Sequence, residues 1–230
     1  MIPFLDDTDN DFPSTALALD EPNGLLCAGG DLHWQRLLQA YSKGIFPWFS
    51  DDQPILWWSP SPRCIIEPGD LHISKSMKKV LRKSDFSFSF DLAFADVIKH
   101  CAGTREYSEG TWITDDMRQA YCILHERGFA HSLEVWQEQQ LVGGLYGVAI
   151  GRAFFGESMF SKVSNASKAA FIQLNQQLFA AGFELIDCQV ESEHLLSLGA
   201  KNINREQFEK KLTAAIHKPC DQSPWEIHAA

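Results

Sequence analysis

Apolar residues crowd most densely between residues 141 and 161, LVGGLYGVAIGRAFFGESMFS, a run interrupted once at Gly151 and Arg152. Its first half, residues 141–150, falls well short of the roughly 20 apolar residues that span a bilayer and reads as a buried strand. The pattern resumes with Ala153, Phe154 and Phe155 and then meets a carboxylate, Glu157, between Gly156 and Ser158. An ionised carboxylate in such a setting needs a partner, a solvent-filled cleft or a cationic ligand. An answering segment, FELIDCQV at 183–190, alternates so that Phe183, Leu185, Asp187 and Gln189 share one face. Asp187 and Gln189 are then same-side neighbours about 7 Å apart along the strand, within reach of a short hydrogen-bond network or simply capping a sheet edge. Between the two apolar runs, Asn165 is placed to cap a helix over 166–181 whose Phe171, Leu174 and Leu178 fall at i, i+3 and i+7, stopped by Gly182. Strand, helix and strand in that order predict a parallel crossover.

The remaining pattern places further elements around this unit. Asp31 is a candidate N-cap for a helix through Leu37, Leu38 and Tyr41 that stops at Gly44. Ser74 is another, for a helix over 74–83. Phe86, Phe88 and Phe90 alternate with serines as a strand with one buried face, residues 91–100 read as a helix, and Thr114 caps a helix carrying Met117, Tyr121 and Leu124 up to Gly128. A strand over 132–136 and a turn over 138–140 lead into the central run, and helices over 191–198 and 205–216 follow the answering strand. Ser59-Pro60-Ser61-Pro62 resists both helix and central strand, which predicts a boundary there. Residues 1–62, rich in Trp34, Trp48, Trp57 and Trp58, would form a small α+β domain, and residues 63–230 a larger mixed α/β one.

Composition narrows the class. At 230 residues, 45 % hydrophobic and 22 % charged, the chain has room for such a pair of domains. The start MIPFLDDTDNDF lacks a basic segment followed by an apolar one, and no stretch is long and apolar enough to span a membrane, so a cytoplasmic location is expected. Six scattered cysteines without a C-x-x-C pair indicate neither a disulfide framework nor a zinc site. A formal net charge of −10 argues against bulk attraction to nucleic acid. Any such partner needs a local basic patch, and SKSMKKVLRK at 74–83 supplies one. Lys75, Lys78, Lys79 and Arg82 fall at i, i+3, i+4 and i+7 on one helix face, opposite Met77, Val80 and Leu81. By itself such a run also describes an ordinary solvated face.

Phosphate-loop, zinc-protease and nucleophile-elbow motifs are absent, as is the R/Q-x-x-G-x-G/A loop by which acetyltransferases hold coenzyme A. His131 and His194 are isolated and read most simply as structural. What remains is a set of long, unusual strings: EPNGLLCAGGDL at 21–32, YSKGIFPWFS at 41–50, PILWWSP at 54–60, EGTWIT at 109–114, GESMFS at 156–161, NASK at 165–168 and LIDCQV at 185–190. In order and spacing, over nearly the whole chain, they resemble the leucyl/phenylalanyl-tRNA–protein transferases.

That resemblance implies a small N-terminal domain on an acetyltransferase-like (GNAT-like) domain, and transfer of leucine or phenylalanine from leucyl-tRNA or phenylalanyl-tRNA to proteins with N-terminal Arg or Lys. It implies no cofactor, metal or membrane. Trp48 and Trp112 would stack on the terminal adenosine, and Lys75, Lys78, Lys79 and Arg82 would touch the tRNA backbone. In the expected chemistry, Gln189 positions the attacking amine, Asp187 orients and polarises Gln189, and Glu157 anchors the cationic acceptor. Leu145, Phe154, Met159, Phe171 and Leu174 are the candidate donor side-chain pocket. The rivals are a coenzyme A N-acyltransferase, an inverting glycosidase pairing Glu157 with Asp187, and a non-enzymatic RNA-binding module.

Overall fold

The computed structural model describes residues 2–6, 11–103, 113–220 and 223–225, which form two sheets. The first combines strands β1 (Phe4–Leu5), β2 (Leu25–Gly29), β3 (Phe46–Pro47) and β4 (Leu56–Trp58) in the order β1-β2-β4-β3, with helix α1 (Trp34–Ser42) between β2 and β3 in the chain. Two- and three-residue strands are too short to carry a legible alternation, and the sequence did not predict them.

The second sheet begins with β5 (Arg63–Ile66). It continues through α2 (Lys75–Lys83), β6 (Ser87–Phe90), α3 (Phe94–Gly103), α4 (Asp115–Glu126), β7 (Ala130–Gln137), β8 (Gln140–Ile150) and β9 (Ala153–Ser161). The chain then adds α5 (Ala166–Ala180), β10 (Leu185–Gln189), α6 (Glu193–Ser197), β11 (Lys201–Ile203) and α7 (Arg205–Ile216). The strand order is β11-β5-β10-β9-β8-β7-β6, antiparallel except between β9 and β10. This is the mixed sheet with flanking helices expected from the sequence, and β9-α5-β10 is the predicted parallel crossover.

Some helix starts differ from expectation. Asp31 is not the N-cap of α1; His33 occupies that position, and the Asp31 carboxylate accepts instead from the His33 N–H and from Arg36 Nε. Asn165 precedes α5 but sits in the left-handed region at φ 69°, and its side chain makes no cap bond; Ser161 Oγ accepts the Ser167 N–H in its place. Helix α3 begins at Phe94 rather than at residue 91, because Asp91 lies at φ 57° with its carboxylate accepting the Ser132 N–H. Ser74 and Thr114 do cap α2 and α4, each accepting an N–H three residues on.

Period-two alternation sends successive side chains of β9 into different layers. Phe154 packs with Leu133, Leu145, Ile186 and the α5 residues Phe171, Leu174 and Leu178, whereas Phe155 packs with Tyr41, Trp57, Tyr121 and Tyr146. The large sheet is thus covered by α5 on one face and by α4, α1 and the small sheet on the other. Each buried Phe or Leu contributes about 1.5–3 kcal/mol. The second layer joins the N-terminal residues to the large sheet through one continuous core.

Candidate active site

Two bulges open the sheet at one end. Gly156 pairs with Gly147 and Ser158 with Tyr146, so Glu157 is the extra residue on β9. On β10, Asp187 pairs with Ile65 and Gln189 with Cys64, leaving Cys188 extra. Bulges re-aim side chains and end regular pairing. The β9–β10 ladder stops at Phe155 and Asp187, and beyond that point lies a cavity of about 470 Å³. Glycine is required at 147, where a Cβ would meet the Phe155 carbonyl oxygen at 2.2 Å. At Gly156 a Cβ would meet only the Asp187 carbonyl oxygen, at an ordinary 3.6 Å, so packing within the protein leaves that position open toward the cavity.

The five residues expected to form a pocket, Leu145, Phe154, Met159, Phe171 and Leu174, all line this cavity, together with Glu157 and Gln189. Trp48 stands at its edge, 46 % exposed and tilted against Trp58 with ring centroids 5.5 Å apart. An exposed indole beside an opening offers a stacking face, whereas Trp57 is fully buried and spends its N–H on the Gly29 carbonyl. Trp112 lies outside the described residues.

Glu157 is 7 % exposed. Its Oε1 accepts from the Tyr41 hydroxyl at 2.7 Å and from Gln189 Nε2 at 2.7 Å, and its Oε2 lies within hydrogen-bond distance, 2.9 Å, of the Tyr121 hydroxyl oxygen. The two tyrosine hydroxyls also hydrogen-bond each other. Burial pushes the Glu157 carboxyl up to about 7 against the pull of these bonds, and the same burial raises both phenols well above their ordinary range. Both carboxyl oxygens of Glu157 are thus engaged by groups of the protein itself.

Asp187 is fully buried and forms a two-point ion pair with Arg63, Nε to Oδ1 at 2.8 Å and Nη2 to Oδ2 at 2.6 Å. The guanidinium lies between the rings of Phe46 and Phe208, 4.8 and 4.6 Å from their centroids. Asp187 Oδ1 also accepts the Gln189 backbone N–H at 2.9 Å. The expected acid-to-amide link therefore runs through the main chain, and the Gln189 side chain turns to Glu157. Gln189 pays for this geometry with a left-handed φ of 62°, a strain of about 1–3 kcal/mol that its two hydrogen bonds hold in place. With Nε2 committed to Glu157, the amide oxygen is the atom left over, and it takes no hydrogen bond from a described residue.

The basic helix stands as expected. Lys75, Lys78, Lys79 and Arg82 are exposed on α2, make no ion pair with a described residue, and are anchored by buried Met77 in the layer that holds Phe154 and Phe171. His131 is structural, 2.7 Å from Asp91 and stacked on Trp225, while His194 lines the cavity.

Sequence reasoning missed Arg63, Tyr41 and Tyr121 as parts of the site. An arginine just past a Pro-rich break and two tyrosines on apolar helix faces carry no local sign of where the fold brings them.

The leucyl/phenylalanyl-tRNA protein transferase family model matches residues 65–213, and the model of that family's N-terminal domain matches residues 30–61. A leucyl/phenylalanyl-tRNA–protein transferase of Hahella chejuensis is 61 % identical over 216 residues, covering 94 % of this chain and 92 % of the relative. Others from Cellvibrio japonicus (53 % identical; 96 % of this chain, 94 % of the relative) and Pseudomonas aeruginosa (58 %; 90 % and 92 %) match as broadly. Likeness to solved structures is distant: a GCN5-related N-acetyltransferase from Kribbella flavida has a TM-score of 0.41 at 12 % identity, over 75 % of this chain and 61 % of that one. With family models matching both parts of the chain and relatives of this similarity, the chain belongs to the leucyl/phenylalanyl-tRNA protein transferase family.

Proposed function

We propose that this chain moves leucine or phenylalanine from the 3′ end of leucyl-tRNA or phenylalanyl-tRNA to the α-amine of proteins beginning with Arg or Lys, in the cytoplasm, with residues 1–62 and 63–230 as its two domains. The observation that carries the chemical reading is a deep apolar cavity ending in one uncommitted amide oxygen, that of Gln189. An apolar cavity suits a leucyl or phenylalanyl side chain, and its walls, Leu145, Phe154, Met159, Phe171 and Leu174, present no charge to it.

The aminoacyl ester is already activated, so the protein's task is to place the amine on the carbonyl and lighten its proton load. Gln189 Oε1 accepts a hydrogen bond from the incoming α-amine and aims it. Glu157 fixes which end of the amide faces the cavity, and Asp187, itself clamped by Arg63, fixes the backbone of Gln189. As the amine attacks, the ester C–O bond breaks and the ribose 3′-oxygen leaves with a proton from the attacking nitrogen. Trp48 offers a stacking face for the terminal adenine, with Trp112 proposed alongside it. The α2 cations hold phosphates, where charge matters and sequence does not.

Incubation with labelled leucyl-tRNA and peptides starting with Arg, Lys or Ala tests this. Label should pass to the first two peptides without ATP or coenzyme A. No transfer, or equal transfer to all three, overturns the reading. Changing Lys75, Lys79 and Arg82 together to Ala should weaken tRNA binding and flatten its salt dependence by about one unit of slope per lost contact, while a minimal aminoacyl-adenosine donor is spared.

A further inference from the structure

Four oxygens meet at Glu157 in a closed ring: Tyr41 hydroxyl to Oε1, Oε2 to Tyr121 hydroxyl, and hydroxyl to hydroxyl. Each contact is close enough to require a proton between its oxygens, because two lone pairs brought together in a dry interior repel. The ring has three contacts. The two phenols supply one proton each, and an ionised carboxylate supplies none. If both phenols donate to the carboxylate, nothing bridges the hydroxyls; if one phenol donates to the other, one carboxylate contact is empty. A third proton closes the ring, passing from Oε2 to the Tyr121 oxygen, from Tyr121 to the Tyr41 oxygen, and from Tyr41 to Oε1.

We infer that the ring carries three protons, so that Glu157 rests as a neutral acid, and that Tyr41 and Tyr121 are positioning residues which hold the Gln189 amide through it. Oε1 is then a pure acceptor for both Tyr41 and Gln189 Nε2, which keeps the Gln189 amide oxygen turned to the cavity. The ring draws one oxygen from α1, one from α4 and two from β9, so it also ties the N-terminal part of the chain to the bulge that opens the cavity.

The surroundings agree. No cation faces Glu157 among the described partners: α1 contributes Tyr41, α4 contributes Tyr121, β8 contributes Tyr146 beside Tyr121, and β10 contributes Gln189 and Asp187, the latter already neutralised by Arg63. Burial with Asp187 nearby disfavours a second negative charge, and the carboxyl is pushed up to about 7. As a direct consequence, the site that receives the acceptor's ammonium presents a neutral amide oxygen, not a carboxylate. This deepens the role assigned to Gln189 but stands on the ring geometry alone, whatever the substrate proves to be.

The test is infrared difference spectroscopy of the whole protein across the neutral range. A protonated-carboxyl carbonyl band should be present on the acid side of about pH 7, fade above it, and be missing in Glu157→Gln. Labelling the wild-type protein with ¹³C-glutamate should shift the band, which identifies a glutamate even if the variant does not fold. In Tyr41→Phe and Tyr121→Phe the midpoint should move. A wild-type protein with no glutamate-derived band at or below neutral pH overturns the neutral acid, and an unmoved midpoint in both tyrosine variants overturns the ring. Neither outcome depends on aminoacyl transfer, so each is distinguishable from failure of the proposed reaction.

Discussion

Glu157 lines the cavity and Asp187 lies behind it on the neighbouring strand, both removed from water, yet the protein holds them in opposite ways. Asp187 receives a full countercharge, Arg63, packed between two aromatic rings. Glu157 is held only by neutral groups, two phenols and an amide. The difference teaches that one site can carry two carboxylates with different duties if it pairs a buried cation with one of them. Asp187, paired with Arg63, clamps the backbone of Gln189, while Glu157 clamps its side chain. Gln189 stands between them, strained at φ 62° and held from both directions.

The largest effect should come from breaking the charged side. Arg63→Met keeps the bulk between Phe46 and Phe208 but leaves Asp187 buried without its partner, and should cost about 3–5 kcal/mol in urea unfolding. A loss under about 1 kcal/mol, no more than an exposed pair contributes, would mean the ion pair is not what compensates Asp187.

The neutral side gives a pH-dependent effect. The folded-state value of Glu157 is raised from 4.5 to about 7, so the native protein keeps a proton that the unfolded chain releases. The contribution is fully present below about 4.5 and is lost as pH rises to about 7. Relative to Glu157→Gln, which cannot titrate, the wild type should lose about 3 kcal/mol across that window. Parallel unfolding curves at several pH values check it, and a constant difference contradicts the assignment.

Gly156→Ala should be the mildest for the fold, within about 0.5 kcal/mol, because its methyl meets only one carbonyl oxygen at an ordinary distance. The same methyl projects where the strands part, so the KM for the donor should rise. A folded variant with an unchanged KM would place the reacting groups elsewhere in the cavity.

How much of this was legible in the sequence follows from the range of each interaction. The long apolar strands, the crossover helix with Phe171, Leu174 and Leu178, and the caps Ser74 and Thr114 are set by residues close together in the chain, and their patterns survive in one dimension. The residues that line the cavity were legible as apolar residues near the Glu157 carboxylate and, for Phe171 and Leu174, by the period of α5, although Phe154 and Met159, an odd number apart, reach the same side only because the bulge at Glu157 resets the alternation. The polar end was legible only in part. Alternation put Asp187 and Gln189 on one face, but the bulge at Cys188 breaks that period, so Gln189 turns from Asp187 to Glu157. Arg63 meets Asp187 across 124 residues, and Tyr41 meets Glu157 across 116. No local pattern encodes such a meeting; it is a product of strand order. Asp31 failed as a cap because its carboxylate had a stronger partner in Arg36.

The claim that Glu157 acts through Gln189 is tested most directly by a double-mutant cycle on the transfer step, with single-turnover rates from bound leucyl-tRNA. Gln189→Ala should slow transfer on the order of 100-fold with donor binding preserved, and Glu157→Ala should slow it by no more than that. The double variant should then be no slower than Gln189→Ala alone, as expected of groups working as a unit. Losses that multiply in the double variant would show Glu157 acting on the reaction independently of Gln189 and would contradict the account.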